Sequence, residues 1–471
     1  MPKVVFRSHI AQSAQEMFEW HKAPGAFGRL VPPGEPIRMV SPDNGLHNGD
    51  VRQLRVGYGP LSIPWVAYHD HWIEGQQFRD VQQKGPFARW EHTHRCLPDS
   101  DGAILEDELD FAVHGLPDAL AKLIFRSKIE QTFRFRHRKT RFDLGRHQPS
   151  QLGQKIVVSG ANGLLGGALV PYLRVQGFDV IQLVRGEPKL SFQRRWDAYS
   201  AERSSAVLDD LEGSLAWIHL SGHGILDGNW GKKHRASMWD SRVQTTKTVV
   251  ELCSKLSNRP KALLCASGIS AYPNRAIDDQ PVTEAFELSH SSAPGFLAEL
   301  VCAWEAEANK IEALGVRSVQ LRLGAVLSPD GGALGQMLLP FKLGLGSTIA
   351  GGRNPFSWIA LEDALGGIHH LLQSPVEGPV NMVSPYLVTF RQFADTLASV
   401  LGRPRWFDAP AALVRPVLGA KLKILLDGCP VFPEKLLNSG FKFLVGEARS
   451  AVGHELGLRL PMDEQVGVHW S

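Results

Sequence analysis

Residues 155–170 read KIVVSGANGLLGGALV. Lys155–Ser159 is an apolar run of strand length. Gly160, Gly163 and Gly166 follow at intervals of three, and from Leu164 the pattern becomes that of an amphipathic helix ending near Gln176, with Gly177 as its stop signal. Gly160 permits a tight turn, Gly163 lets backbone approach a pyrophosphate, and Gly166 lets helix and strand pack closely. The helix N-terminus then presents free N–H groups to an anion. The stretch predicts a dinucleotide-binding turn, with Gly160, Asn162, Gly163, Leu164, Leu165 and Gly166 as its contacts.

Moving outward, residues 180–188 read VIQLVRGEP and supply a second strand, Val180–Val184. An acidic residue at the end of that strand suits a ribose 2′-hydroxyl, and an arginine suits a 2′-phosphate. Here Val184 takes the acidic position and Arg185 follows, which favours NADP(H) and leaves NAD(H) open. Further strand patterns at Ala216–Leu220, Ala262–Cys265 and Ser318–Leu323 alternate with helical ones at Ser241–Lys255 and Phe296–Leu314. Such alternation predicts a doubly wound parallel sheet over 155–384. From 385 to 471 the pattern is mostly helical, with pieces at Arg391–Leu401 and Pro433–Asn438, and predicts a small C-terminal domain.

The polar stretch 146–154 predicts a linker. Before it, runs at Val51–Gly57, Ile63–His71, Phe78–Gln83, Ala88–Cys96 and Ala103–Ala112 predict an antiparallel sheet. Ala14–Trp20 is a short helix with Ser13 as N-cap. Leu116–Arg138 is a long one, with Leu120, Ile124, Phe125, Ile129 and Phe133 apolar. A curved sheet closed by that helix makes an α+β domain over 1–145, with an apolar groove between the two.

Composition excludes several classes. The chain has 471 residues, 43% hydrophobic and 21% charged, as in an ordinary globular protein. Lys and Arg number 51 against 48 Asp and Glu, a balance with no global pull towards nucleic acid or anionic membrane. The five scattered cysteines form no disulfide framework or zinc knuckle, and reduced thiols in a cytoplasmic setting are expected. MPKVVFRSHI lacks the apolar core of a signal peptide. The nearest approach to a membrane span, Ala411–Leu426, is broken by Arg415, Pro416, Lys421 and Lys423, so no membrane partner is expected. No nucleophile elbow, phosphate loop of the GxxxxGK type or HExxH pattern occurs.

Two further patterns are read conservatively. His69 with His71, and His92 with His94, are pairs whose members share a strand face and offer two metal ligands each. Asp70, Glu91 and Cys96 are taken to alternate onto the other face, so the imidazoles are expected to line the groove or the surface, and no metal is assigned. FRFRHRKTRFDLGR (133–146) is basic with interleaved aromatics, but Phe125, Ile129 and Phe133 fall at core spacing. Its charges are expected to form a solvated face, with no nucleic-acid partner.

Several stretches together resemble one known family. SGANGLLGGAL (159–169), WIHLSG (217–222), WDSRVQTTKTVVE (239–251), ASGISAYP (266–273), GFLAELVCAWEAEA (295–308), LRLGAVLSPDGGAL (321–334), PFSWIALEDALGGI (355–368) and PVNMVSP (379–385) are similar to epimerase/dehydratase-type members of the extended short-chain dehydrogenase/reductase superfamily. CPVFPEKLLNSGFKF (429–443) resembles the C-terminal domain of its epimerase family proteins. The resemblance implies a Rossmann-like fold, an NADP(H) or NAD(H) cofactor, a small-molecule substrate and room for a homodimer. It implies that His219, Leu220 and Ser221 line the cofactor, that Ser267 is the active-site serine, and that Trp358 and Asp363 lie beneath the substrate pocket. SAQEMFEWHKAPGAFGRL (13–30) and GPFARWEHTHRC (85–96), with the long basic helix, resemble the START/Bet v 1-like superfamily. That likeness implies a helix-grip domain with an apolar ligand.

One departure bears on catalysis. The superfamily's proton donor is a Tyr-x-x-x-Lys pair, and none of the six tyrosines here has Lys four residues later. Residues 295–300 read GFLAEL at the expected place. Tyr272, five residues beyond Ser267, is the best-placed phenol. Unassisted, it would titrate near about 10 and support only slow turnover that rises with pH. The sequence thus supports an epimerase-like oxidoreductase, or alternatively a cofactor-loaded binding or sensing protein with little turnover.

Overall fold

The computed structural model describes all residues except Met1, Pro42, Asn44, 226–229, 274–279, 289–294, 411 and 413–427. Nearly all of the apolar stretch 411–426 therefore lies outside the described residues. Contacts divide the chain into two units. The first comprises Met1–Gly153, Pro171–Phe178 and Leu456–Ser471, and the second Gln154–Val170 and Asp179–Glu455. Among the described residues no helix is long and apolar enough to cross a membrane.

The first unit holds β1 (Lys3–Ile10), α1 (Ala14–Lys22), α2 (Ala26–Leu30), β2 (Ile37–Met39), β3 (Val51–Val56), β4 (Ile63–Ile73), β5 (Gln77–Lys84), β6 (Arg89–Asp99), β7 (Gly102–Ala112) and α3 (Asp118–Leu144). Its sheet runs β2-β3-β4-β5-β6-β7-β1 and then the C-terminal strand Gly467–Trp470, with every pair antiparallel. Period-two alternation turns Val4, Phe6, Ser8 and Ile10 of β1 inward. Phe6 stacks on Phe133 of α3 at 4.6 Å. Ser13 caps α1 and forms a capping box with Glu16, which fixes where that helix starts.

The buried stripe of α3 differs from the expected one. Ala121, Ile129, Phe133 and His137 are buried, whereas Leu120 and Ile124 are 42% and 54% exposed. The stripe steps by four residues, and Leu120 and Ile124 each sit one residue, about 100°, round the helix from it. The basic stretch 133–146 is not a solvated face either. Arg134, His137, Arg138 and Lys139 are buried. Arg134 Nη1 donates to the Val466 carbonyl (3.0 Å), Arg138 pairs with the Asp463 carboxylate, and Arg29 makes a two-pronged pair with Asp143 (2.9 and 2.6 Å). The amphipathic pattern alone points these charges outward, because the groups that hold them inside, Asp463 and Val466 above all, are far away in sequence.

The C-terminus corrects the expected domain order. Residues 385–471 do not form one domain: those up to Glu455 group with the second unit, and Leu456–Ser471 with the first. Gly467–Trp470 pairs with β1 in the register Val4↔Trp470 to Arg7↔Gly467. It covers an edge strand that would otherwise expose a row of unpaired backbone groups. Trp470 Nε1 donates to Glu130 of α3 at 2.9 Å.

The second unit is built on β8 (Lys155–Ser159), β9 (Asp179–Val184), β10 (Gln193–Arg195), β11 (Ala216–His219), β12 (Ala262–Gly268) and β13 (Arg317–Leu323), with α4 (Leu164–Val175) following the glycine loop and belonging to this unit up to Val170. Among the described residues these strands and Gly378–Met382 form a parallel sheet in the order β10-β9-β8-β11-β12-β13-(378–382). β11 is buried throughout, as expected of a strand covered on both faces. Val157, Trp217, Leu263, Val249 and Trp304 belong to its core. Strand order reverses between β8 and β11, which makes the ends of these two strands the topological switch point.

Asp463 and Arg138 are both fully buried, so Asp463→Ala should destabilise the first unit by about 3–5 kcal/mol, the cost of breaking a buried pair. Denaturant unfolding followed through hydrogen exchange of β1 and α3 checks this; a change below about 1 kcal/mol would show that the pair does not hold the C-terminus in place.

Candidate functional site

The three glycines of the loop have three separate reasons. Gly160 has φ +79°, and a Cβ there would lie 2.4–2.6 Å from the backbone of Leu220 and Ser221. The turn after β8 and the turn after β11 thus cross with no space for a side chain. A Cβ on Gly166 would come within 2.5 Å of the Gly160 carbonyl oxygen, so only glycine lets α4 seat against the loop. Gly163 is different: its Cβ would meet only that same oxygen, at 3.4 Å, an ordinary contact. Packing does not require glycine at Gly163, which lies exposed at the N-terminal end of α4, where a ligand would sit.

The other expected contacts divide. Asn162 is exposed, and its Oδ1 accepts from Gln182 Nε2 (3.2 Å). Leu164 and Ser221 are half-buried at the crevice, as is Leu220, while Leu165 is buried in the packing of α4. Arg185, just past β9, is exposed and has no carboxylate partner among the described residues, whereas Arg194 and Arg195 nearby pair with Asp210 and Glu187. His219 does not present its side chain to the crevice. It is fully buried, with Nδ1 2.7 Å from Ser159 Oγ and Nε2 3.1 Å from Thr245 Oγ1, and burial pushes it down to about 3. What it contributes at the switch point is backbone.

Ser267 and Tyr272 come together, but as parts of one buried network. Ser267 Oγ donates to Glu305 Oε1 at 2.5 Å. Glu305 also accepts two bonds from Arg322, at 2.9 and 2.8 Å. Arg322 Nη1 donates to the Tyr272 hydroxyl (2.7 Å), which in turn donates to Asn381 Oδ1 (2.8 Å). Tyr272 is 1% exposed, and burial pushes its phenol up to about 12. That corrects the expectation of a phenol near 10 available to a substrate. The sequence could not show it, because Glu305, Arg322 and Asn381 stand on three other elements. Trp358 is buried, and the Asp363 carboxylate accepts the backbone N–H groups of Leu444 (2.8 Å) and Val445 (3.1 Å), anchoring the segment after Phe443.

Arg242 was missed. It lies in a π turn at Asp240–Gln244 and is 7% exposed. Its guanidinium sits under Gly222, 3.1 Å from where a Cβ there would be, and over the Trp304 ring at 5.2 Å. One Nη donates to the Met238 carbonyl at 3.2 Å, and among the described residues no carboxylate pairs with it. Burial pushes it down to about 10. The π turn at this position is the only local signal, and it is invisible in the residue pattern.

In the first unit the His92 and His94 pair is buried under α3 rather than on the surface. Asp80 on β5 and Asp107 on β7 face it, neither of which the strand's own alternation could reveal. Cys96, two residues past His94, shares its face and is buried in the core. Burial opposes protonation of His92, but the two aspartates push it up to about 9.

A doubly wound parallel sheet with a glycine-cradled helix N-terminus at its switch point defines a Rossmann-type α/β protein. Residues 156–384 match the NAD dependent epimerase/dehydratase family. The chain belongs to that family. Epimerase family protein YfhF of Bacillus subtilis is 32% identical over 298 residues, which span 63% of this chain and 96% of that protein. The human epimerase family protein SDR39U1 is 33% identical over 307 residues, 63% of this chain and 98% of its own length. Its crystal structure with NADPH superposes with a TM-score of 0.57 at 29% identity, covering 64% of this chain and 99% of that one. A nucleoside-diphosphate sugar epimerase from Corynebacterium glutamicum covers 98% of this chain and 92% of its own, with a TM-score of 0.77 at 26% identity.

The buried neutral His219 makes an acid-lability prediction. Its value in the folded protein, about 3, lies below the usual 6.5, so between those pH values the unfolded chain holds a proton that the folded one lacks. Stability should therefore fall as pH drops below 6.5, by up to about 1.4 kcal/mol per unit. In urea titrations at pH 7 and pH 5, His219→Asn should show a shallower loss than the parent; an equal loss would place the acid sensitivity elsewhere.

Proposed function

We propose that the second unit binds NADP(H) at the crevice between Gly160–Gly163 and Leu220–Gly222, and that the protein is an epimerase/dehydratase-like oxidoreductase acting on a small molecule. The observation that carries this is Gly163: an exposed glycine at a helix N-terminus whose missing side chain no packing demands. The cofactor supplies hydride transfer when bound. The chain supplies backbone N–H groups for a pyrophosphate, an Arg185 with no carboxylate partner among the described residues for a 2′-phosphate, and a buried Arg242 for a further anionic group. That the human relative was solved with NADPH supports the phosphorylated form. For the first unit, an antiparallel sheet gripped by one long helix supports a START-like domain with an apolar ligand.

A second reading, slow or absent turnover on a bound cofactor, is favoured by one observation. The Ser267 and Tyr272 protons are both committed to internal acceptors, so neither hydroxyl stands ready to exchange a proton with a substrate oxygen near pH 7.

Calorimetric titration with NADPH and NADH tests the first reading. The parent should bind NADPH more tightly. Gly163→Val should abolish binding while leaving the melting temperature nearly unchanged. Arg185→Ala should weaken NADPH by about 1–3 kcal/mol and hardly touch NADH. Tighter NADH binding in the parent would overturn the preference.

Arg242→Met removes a costly buried charge, so it should hold or raise the melting temperature while weakening NADPH or substrate binding. A marked drop in melting temperature would mark Arg242 as structural. Turnover on ketone and sugar-nucleotide panels that stays fast in Tyr272→Phe would remove Tyr272 from the proton route.

A further inference from the structure

We propose that Asp80, His92 and His94 of the first unit bind a divalent transition-metal ion of the zinc or iron(II) class through two imidazole nitrogens and one carboxylate oxygen. The three residues occupy adjacent rungs of the sheet: Asp80 stands opposite His92 across β5 and β6, and His94 follows on the same face. Asp80 Oδ2 lies 2.9 Å from His92 Nδ1 and 3.8 Å from His94 Nε2, and all three atoms fall within 4.8 Å of one another. Ligand atoms held at about 2.0–2.2 Å from one ion stand about 3–3.5 Å apart, so these separations bracket what an ion needs. Two histidines and a carboxylate form a known ligand set for such metals, one that leaves a coordination position for water or a ligand oxygen.

The surroundings are built as a second layer. Metal-bound histidines turn their other ring nitrogen to a carboxylate. Here Asp107 Oδ1 is 2.7 Å from His94 Nδ1 and 3.3 Å from His92 Nε2, the two nitrogens left over by the proposed ligation. Asp107 stands directly opposite His94 across β6 and β7. Its Oδ2 is 3.1 Å from His137 Nε2 of α3, whose Nδ1 is 2.7 Å from Ser8 Oγ. Phe78 stacks on His94 at 4.4 Å and Phe133 packs edge-on against His92 at 4.9 Å, so apolar walls enclose the group. The nearby guanidinium of Arg136 donates instead to the Leu30 carbonyl.

A further observation concerns the ring orientations on the Asp107 side. His92 Nε2, His94 Nδ1, Asp107 Oδ1 and His137 Nε2 are buried and close together, yet none makes a well-directed hydrogen bond. All four sit at the Asp107 contacts of 2.7–3.3 Å, so the partners are present and the ring orientations are what falls short. An ion on the outer nitrogens would set the ring orientations that align the inner ones with Asp107. A second His/Asp group, His9 with Asp99 and Asp101, is exposed and lacks such a layer, so it serves as the control.

The test uses the full chain, stripped with chelator and titrated with Zn²⁺ by calorimetry and with Co²⁺ by visible absorption. One tight equivalent is expected, with Co²⁺ bands of a low-coordinate nitrogen–oxygen site. His94→Gln and Asp80→Asn should each lower affinity at least a hundredfold, Asp107→Asn about 10–100-fold, and His9→Ala not at all. X-ray absorption on the zinc-loaded parent should show two imidazoles at about 2.0–2.1 Å, a readout that does not depend on any variant folding. Loss of the tight site in His9→Ala, its retention in folded His94→Gln, or a zinc spectrum without imidazole scattering would overturn the proposal. A titration that finds no tight equivalent would do the same and leave the group as a proton-bridged cluster of buried charges.

Discussion

Two backbone turns meet at Gly160 with no space for a carbon atom between them. The turn after β8 lies against Leu220 and Ser221 after β11, and Gly160 adopts a left-handed φ to make the approach. The rest of the second unit follows from that contact. Strand order can reverse there only if the two ends come together, α4 can start at Leu164 only if the loop folds back under Gly166, and the exposed Gly163 is left facing the crevice. Gly160 lets the two turns cross, Gly166 lets the helix seat against the loop, and Gly163 stands exposed with no packing that demands glycine.

The first unit depends on charge placed where a pattern of apolar residues would have been expected. Its long helix buries Arg134, His137 and Arg138, and each finds its acceptor at a great sequence distance. Asp463 closes on Arg138 from the far end of the chain. Such pairs are poor sources of net stability, because desolvation offsets most of the attraction, but breaking one is costly. Here they tie Asp463 and Val466 to α3, directly before the strand Gly467–Trp470 that pairs with β1.

Buried polar chemistry also separates appearance from role in the second unit. Ser267, the serine that the family resemblance singles out, and Tyr272, five residues beyond it, are candidates by residue type, yet Glu305, Arg322 and Asn381 absorb both hydroxyls. Arg242 shows the reverse: a residue given no role in the sequence is placed under Gly222 with its charge uncompensated by any described carboxylate. A charge kept buried without a described carboxylate partner is costly, and the proposed binding of an anionic group beside Gly222 would offset that cost.

The sequence by itself determined the local events. The strand–glycine–helix unit, the parallel alternation after it, the antiparallel runs before it and the Ser13 cap were all legible, because each is set by neighbours within a few residues: φ freedom at glycine, period two in strands, period 3.6 in helices. Only the tertiary structure decided the rest. The partner of β1, Gly467–Trp470, lies more than 450 residues away, and nothing local to either segment marks the pairing. His92 and His94 were visible as a pair, but Asp80 and Asp107 join them across neighbouring strands, and cross-strand register is not written in either strand alone. The physical reason is the same in each case. Burial and long-range pairing set whether a histidine, a tyrosine or an arginine is a solvated side chain, a structural bond or a binding group, and both are properties of the folded chain rather than of any window along it.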